Sequence, residues 1–159
     1  MRMSEGVEWG IHCCVTLAWL GDDQPVSTAK FAAEFDIAPA YLNKILQALV
    51  RANILTSTAG ARGGFTLAKR PDKITLWDVV SAIEGQDETF RCTEIRQRGA
   101  GACAAAKDFR RPCAIASAMR KAENAWRREL SAQTLAEVMN AAPQAAMQRT
   151  IVWHEKAAT

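Results

Sequence analysis

The sequence is poor in the features that would send a chain into a membrane or through one. No apolar run approaches the length that spans a bilayer. The first twenty residues are partly apolar, but Glu5, Glu8 and His12 interrupt them and no small-residue cleavage site follows. A cytoplasmic protein with no membrane partner is expected. Cysteine is sparse and odd in number, five, which without secretory context argues against a disulfide framework. Catalytic groupings are lacking too. His12 stands beside Cys13 and Cys14, but sequence neighbours on a helix point away from one another and no acid orients the imidazole. Neither an enzyme nor a small-molecule substrate is expected. There is no internal repeat, and the net charge of +3 is too small to argue for nucleic acid by itself.

What is present is enough apolar material for a core, 49% of 159 residues, and a basic charge gathered in one block. Between Ile37 and Lys73 lie six Lys or Arg residues against one acid, Asp72. Val7, Ile11, Val15 and Ala18 predict a first helix from about Ser4 to Leu20, closed by Gly21-Asp22-Asp23. Ser27 is suited to cap a second helix through Phe35, and Pro39 to open a third that runs to about Asn53. In the third helix Leu42, Ile45, Leu46 and Leu49 form an apolar stripe, with Ala40, Asn43, Lys44, Gln47 and Arg51 towards the other side. Two short helices with a tight turn, the second polar and basic outside, make a helix-turn-helix pattern. The β-prone runs 54–58 and 65–67 flank the glycine-rich tip 59–64, a hairpin placed as a wing.

Residues 74–83 return to helical spacing and stop at Gly85, whereas Gln86 to Pro112 shows no period. From Cys113 to about Asn140 the residues Ile115, Met119, Ala122, Trp126, Leu130, Leu135 and Val138 predict one long amphipathic helix. Its apolar stripe is more than so small a domain covers, which invites pairing with a second copy. The expected fold is mainly α with a small β-hairpin wing. Its divisions are a DNA-binding winged helix-turn-helix domain over 1–84, a loop over 85–112, a dimerisation helix over 113–140 and a mobile tail over 141–159.

The candidate DNA contacts follow from this layout. Asn43, Lys44 and Gln47 can reach base edges or phosphates from the third helix. Arg62 suits a narrow minor groove, whose negative potential attracts arginine, and its flanking glycines permit close approach. Thr28, Ala40, Tyr41 and Gly63 complete the set. Each is otherwise an ordinary solvated residue. Cys92, Cys103 and Cys113 are either thiolate donors or plain free cysteines, since they match no zinc signature. Cys113, opening a helix, is a third ligand, a redox-active thiol or neither. Glu8 and His12, four apart on one helix face, either share a metal centre or pair with each other. Cys13 and Cys14 lie on other faces and are read as core or bystander residues.

Several motifs occur here in one order: Val7-Glu8-Trp9-Gly10-Ile11-His12, Ala40-Tyr41-Leu42, Arg62-Gly63-Gly64-Phe65, Ile74-Thr75-Leu76-Trp77-Asp78-Val79-Val80, and three spaced cysteines ending in Cys113-Ala114-Ile115-Ala116. Through them the chain resembles the Rrf-two (Rrf2) family of winged-helix transcription regulators over residues 1–140. The resemblance implies a homodimer with a long crossed helix per subunit, a double-stranded, palindromic DNA operator, and in many members an iron-sulfur cluster held in the loop before that helix. Ten and nine residues separate the three cysteines, wider than in many members, while Glu8 and His12 match the RsrR-type redox-sensing subgroup. That likeness implies a 2Fe-2S cluster shared across the dimer, with Cys92 and Cys103 of one subunit completed by a carboxylate and an imidazole of the other, and Cys113 as a further candidate ligand. The function expected is a repressor whose operator binding follows the redox state or presence of the cluster. The alternative is a cluster-free thiol-switch or nitric-oxide-responsive regulator.

Overall fold

The computed structural model describes residues 3–60 and 62–156. Ala61 of the expected wing tip, the first two residues of the expected DNA-binding domain and the last three of the expected tail lie outside the described residues. The chain divides into two compact units, one formed by the residues up to Gln86 together with those from Leu130 onward, the other by Asp87–Glu129.

In the larger unit, helix α1 (Glu5–Leu20) is the spine. It packs on α3 (Pro39–Arg51), α4 (Leu76–Glu84), α6 (Leu135–Ala141) and α7 (Gln144–Lys156). Gly10 faces α4, where a Cβ would press on the tip of the Ile83 side chain. Helix α2 (Thr28–Glu34) starts as the sequence predicts, with the Ser27 hydroxyl accepting from the Lys30 amide. Pro39 stands at the first turn of α3, where its missing N–H costs nothing. Leu42, Ile45, Leu46 and Leu49 are buried as the stripe requires. They join Cys13, Cys14, Leu17, Phe31, Ile54, Leu55, Phe65, Val79 and Leu135 in one core.

The wing is an antiparallel pair, β1 (Leu55–Thr58) and β2 (Gly64–Leu67), with Leu55 opposite Leu67 and Thr58 opposite Gly64. Phe65 anchors it to the core, and its backbone exchanges hydrogen bonds with Val26 at 2.9 and 3.1 Å. Two glycines are required sterically. A Cβ on Gly63 would collide with the Thr58 carbonyl, and one on Gly64 with the Val26 backbone.

Two sequence expectations need correction. The single helix expected over 113–140 is two: α5 (Ala114–Ala132) and α6, separated at Gln133-Thr134. The break has a local cause. Thr134 and Glu137 form a capping box that starts a new helix, while Leu76 N–H donates to Gln133 O at 2.9 Å and Leu135 N–H to Ile74 O at 2.8 Å. The tail expected to be mobile instead carries α7, held by its own burial. Trp153 packs on Phe31 with ring centroids 6.3 Å apart, and His154 is buried. Lys30 Nζ lies 3.0 Å from His154 Nδ1 and 2.7 Å from His154 O, and His154 Nε2 lies 3.1 Å from Gln24 Oε1. An ammonium can only donate, so Nδ1 accepts from Lys30 and Nε2–H donates to Gln24.

The smaller unit consists of short 3-10 turns (Ile95–Gln97, Gly99–Gly101, Ala106–Phe109) followed by most of α5. Its start is tied to α5 by polar contacts. The buried Glu123 accepts from Thr89 N–H at 3.2 Å and from Arg127 at 2.5 Å, and Arg120 meets Glu88 at 3.1 Å. Ile115 and Met119 on α5 are 66% and 44% exposed, so the apolar stripe lies open.

Candidate functional site

The nucleic-acid candidates lie on one unit. Ala40, Tyr41, Asn43 and Lys44 are exposed on α3, whereas Gln47 is half-buried. Thr28 is half-buried at the start of α2, and its hydroxyl donates to Asn43 Oδ1 at 3.3 Å. Arg62 is exposed on the wing, next to the half-buried Gly63, whose N–H donates to Gly60 O at 2.9 Å and closes the turn. The set therefore combines a polar helix face with a cationic hairpin tip, the two elements that enter grooves in winged-helix recognition.

Glu8 and His12 are exposed on α1 and line a cavity of about 430 Å³ with Met3, Ser4, Glu5, Val7 and Ile11. His12 lies 6.4 Å from the Phe35 ring and Trp9 5.5 Å from it, so the same helix turn also touches the end of α2. Cys13 and Cys14 are fully buried in the core. Burial pushes the Cys13 thiol up to about 12 and raises Cys14 as well, which removes both as thiolate donors at neutral pH.

The three loop cysteines are not equivalent. Cys113 is half-buried at the start of α5, and its thiol is held below the ordinary range. The largest causes are the backbone N–H groups of Ala116 and Ile115, free donors in the first turn of the helix. The nearby Cys92 side chain and Arg96 charge add to the effect. Cys92 also approaches Glu94 Oε1, at 3.9 Å. Cys103 is exposed and takes no part in this contact. The structure thus brings Cys92 and Cys113 together, whereas the sequence favoured Cys92 with Cys103.

Arg96 is a residue that sequence reasoning did not single out. Its guanidinium pairs with Glu94 at 2.7 Å, donates to Phe109 O at 3.3 Å and lies 5.4 Å from the Phe109 ring centre. A Cβ on Gly101 would collide with its carbonyl, so the next turn packs directly on its backbone. No sequence pattern marks it, because its partners meet only when three turns fold together. Among the described residues no group of three His, Cys, Asp or Glu side chains converges on a metal-sized site.

A family model described as "Iron-dependent Transcriptional regulator", Rrf2, matches residues 3–141. The chain belongs to the Rrf2 family. YffB of Lactococcus lactis is 35% identical over 138 residues, covering 87% of this chain and 86% of its own. Among solved structures, CymR of B. subtilis, named there the global cysteine regulator, superposes with a TM-score of 0.69 at 22% identity over 90% of this chain and 99% of its own. IscR of T. potens gives 0.66 at 21% identity over 91% and 90%. These two likenesses show the fold, a winged helix-turn-helix. Rrf2 proteins are transcriptional regulators and not enzymes, which agrees with the missing catalytic grouping around His12. No helix among the described residues is long and apolar enough to cross a membrane.

Proposed function

We propose that this Rrf2 protein is a cytoplasmic, homodimeric repressor that binds a palindromic double-stranded operator. Its affinity follows the redox state or presence of a 2Fe-2S cluster. Residues up to about 84 contact DNA, the segment 85–112 and Cys113 carry thiols, and the open stripe of α5 covers its counterpart in a second copy. Cys92 and Cys113 supply the thiolates, a revision of the sequence-based pair Cys92 and Cys103. The observation that carries this choice is that Cys92 and Arg96 lie near Cys113, whose thiol is held low by helix N–H groups. Such a donor pair fits an iron-sulfur group, which needs thiolates rather than thiols. Glu8 and His12 of the second subunit are the proposed completing donors, because both are exposed and share one helix face. A bound cluster would supply a one-electron redox centre, its potential raised by imidazole in place of thiolate.

Anaerobic purification tests this. The wild type is expected to be coloured and to contain iron and sulfide in equal amounts. Cys92→Ala and Cys113→Ala are expected to be colourless, and Cys103→Ala coloured. A coloured Cys113→Ala protein would overturn the ligand choice. For the shared site, a heterodimer of one Cys92→Ala, Cys113→Ala subunit and one Glu8→Ala, His12→Ala subunit keeps one intact site. Its failure to hold any iron would defeat sharing. The same thiol contact favours a second reading, in which the Cys92–Cys113 pair senses oxidants or nitric oxide without a cluster. Colourless wild type whose operator binding still responds to oxidant would select that reading.

A further inference from the structure

A hydrogen bond crosses the helix-turn-helix and ends on a residue of the proposed base-reading face. Thr28 Oγ1, in the first turn of α2, donates to Asn43 Oδ1 on α3 at 3.3 Å. A hydroxyl has one hydrogen, so Thr28 cannot also donate to a phosphate oxygen, which only accepts. The consequence for Asn43 is chemical. Its oxygen accepts from the α2 side, which leaves the two hydrogens of Nδ2 on this exposed residue free of that bond.

From this bond we infer that Thr28 is a positioning residue that fixes the orientation of the Asn43 amide, and that Asn43 reads guanine in the major groove of the operator. The inference rests on the DNA-binding reading above and deepens it. Guanine presents two adjacent acceptors, N7 and O6, to which one NH2 group can donate. Adenine is ordinarily read by asparagine through a bidentate pair in which Oδ1 accepts from N6 and Nδ2 donates to N7. That pair needs the second lone pair of Oδ1 aimed at N6 beside Nδ2, an aim that the Thr28 bond, drawing Oδ1 toward α2, works against. Cytosine presents only an N4 donor and meets Asn43 donor to donor. Thr28 therefore acts on sequence choice through Asn43, not through the DNA backbone.

The test begins with selection of duplexes from a random library by the full-length wild-type protein. Every position of the enriched operator is then replaced in turn and its affinity measured for wild type, Thr28→Val, Thr28→Ser and Asn43→Asp. Wild type is expected to prefer guanine over adenine at one position per half-site by roughly tenfold. Thr28→Val narrows or reverses that preference at that position alone, and Thr28→Ser, which keeps the hydroxyl, retains it. Asn43→Asp, which can only accept, exchanges guanine for cytosine at the same position. Equal loss on every sequence in Thr28→Val, the mark of a phosphate contact, overturns the inference. So does Asn43→Asp with wild-type preferences throughout. Failure of the wild type to enrich any duplex defeats the DNA-binding reading itself, a distinct result.

Discussion

The helix-turn-helix and the thiol-bearing segment are held together by different physics. In the first, Leu42, Leu46, Leu49, Phe31 and Val79 are fully buried, and the elements are fixed by apolar area removed from water. In the second, from Asp87 to Cys113, no residue is fully buried, and its shape rests on 3-10 turns, the Arg96–Glu94 pair and the polar ties to Glu123 and Arg120. Polar ties near solvent stabilise little. The proposed DNA-reading surface thus stands on a packed core, while the thiol segment is shaped by contacts that an added group can outweigh.

The contrast can be broken most strongly in the core. Leu46→Ala is expected to lower folding stability by about 2–5 kcal/mol, measured by urea unfolding, because it leaves a cavity among fixed neighbours. A loss below about 1 kcal/mol would mean the site collapses and is not rigid. Next is Gly63→Ala. Its Cβ would strike the Thr58 carbonyl, so the wing must shift, with about 1–3 kcal/mol of destabilisation and weaker operator binding in a gel-shift titration. Unchanged affinity would show that the wing stays off the DNA.

A smaller effect is expected from pH. Burial, and then the Lys30 charge, hold the His154 imidazole below its ordinary range, so between that lowered pKa and about 6.5 the unfolded chain binds a proton that the folded chain does not. The stabilisation is complete above about pH 6.5 and is lost as pH falls through the folded value. Thermal melts across this range should therefore fall more for wild type than for His154→Gln. Parallel curves would remove His154 from the account. The least effect on stability belongs to Arg96→Ala, expected to leave the melting midpoint unchanged while slowing alkylation of Cys113 at neutral pH, since a nearby cation is lost. A large drop in midpoint would erase the distinction between the two regions.

The same contrast governs what could be read from the residues alone. The helix-turn-helix was legible because its signals are local: Ser27 as cap, Pro39 at a first turn, a 3.6-residue stripe and a glycine-rich hairpin tip. The break between α5 and α6 was not, because apolar residues continue past it at Leu135 and Val138. The Thr134–Glu137 capping box was the available signal. Helix α7 was hidden by its weak amphipathic pattern behind Pro143, and its packing depends on Phe31, Lys30 and Gln24 far away in sequence. Glu8, His12 and the three loop cysteines were found as candidates. The choice between Cys103 and Cys113 was not open to spacing, since turns decide which thiols meet.

The backbone junction between α4 and α6 has an electrostatic consequence. Thr75 and Thr134 pair as an antiparallel bridge, and each caps the helix that follows it, α4 or α6. Two helices therefore begin from one point, with their partially positive amino ends side by side, an arrangement that repels itself. Asp78 and Glu137, the carboxylates of the two capping boxes, sit where that field is strongest and supply the opposite charge. Hydrogen bonds from the Thr134 backbone and hydroxyl hold Glu137 below the ordinary carboxylate range, which keeps it ionised into acid. The two threonines thus tie both helix starts together, and two negative charges add to the burial of the adjoining Ile74 and Leu135.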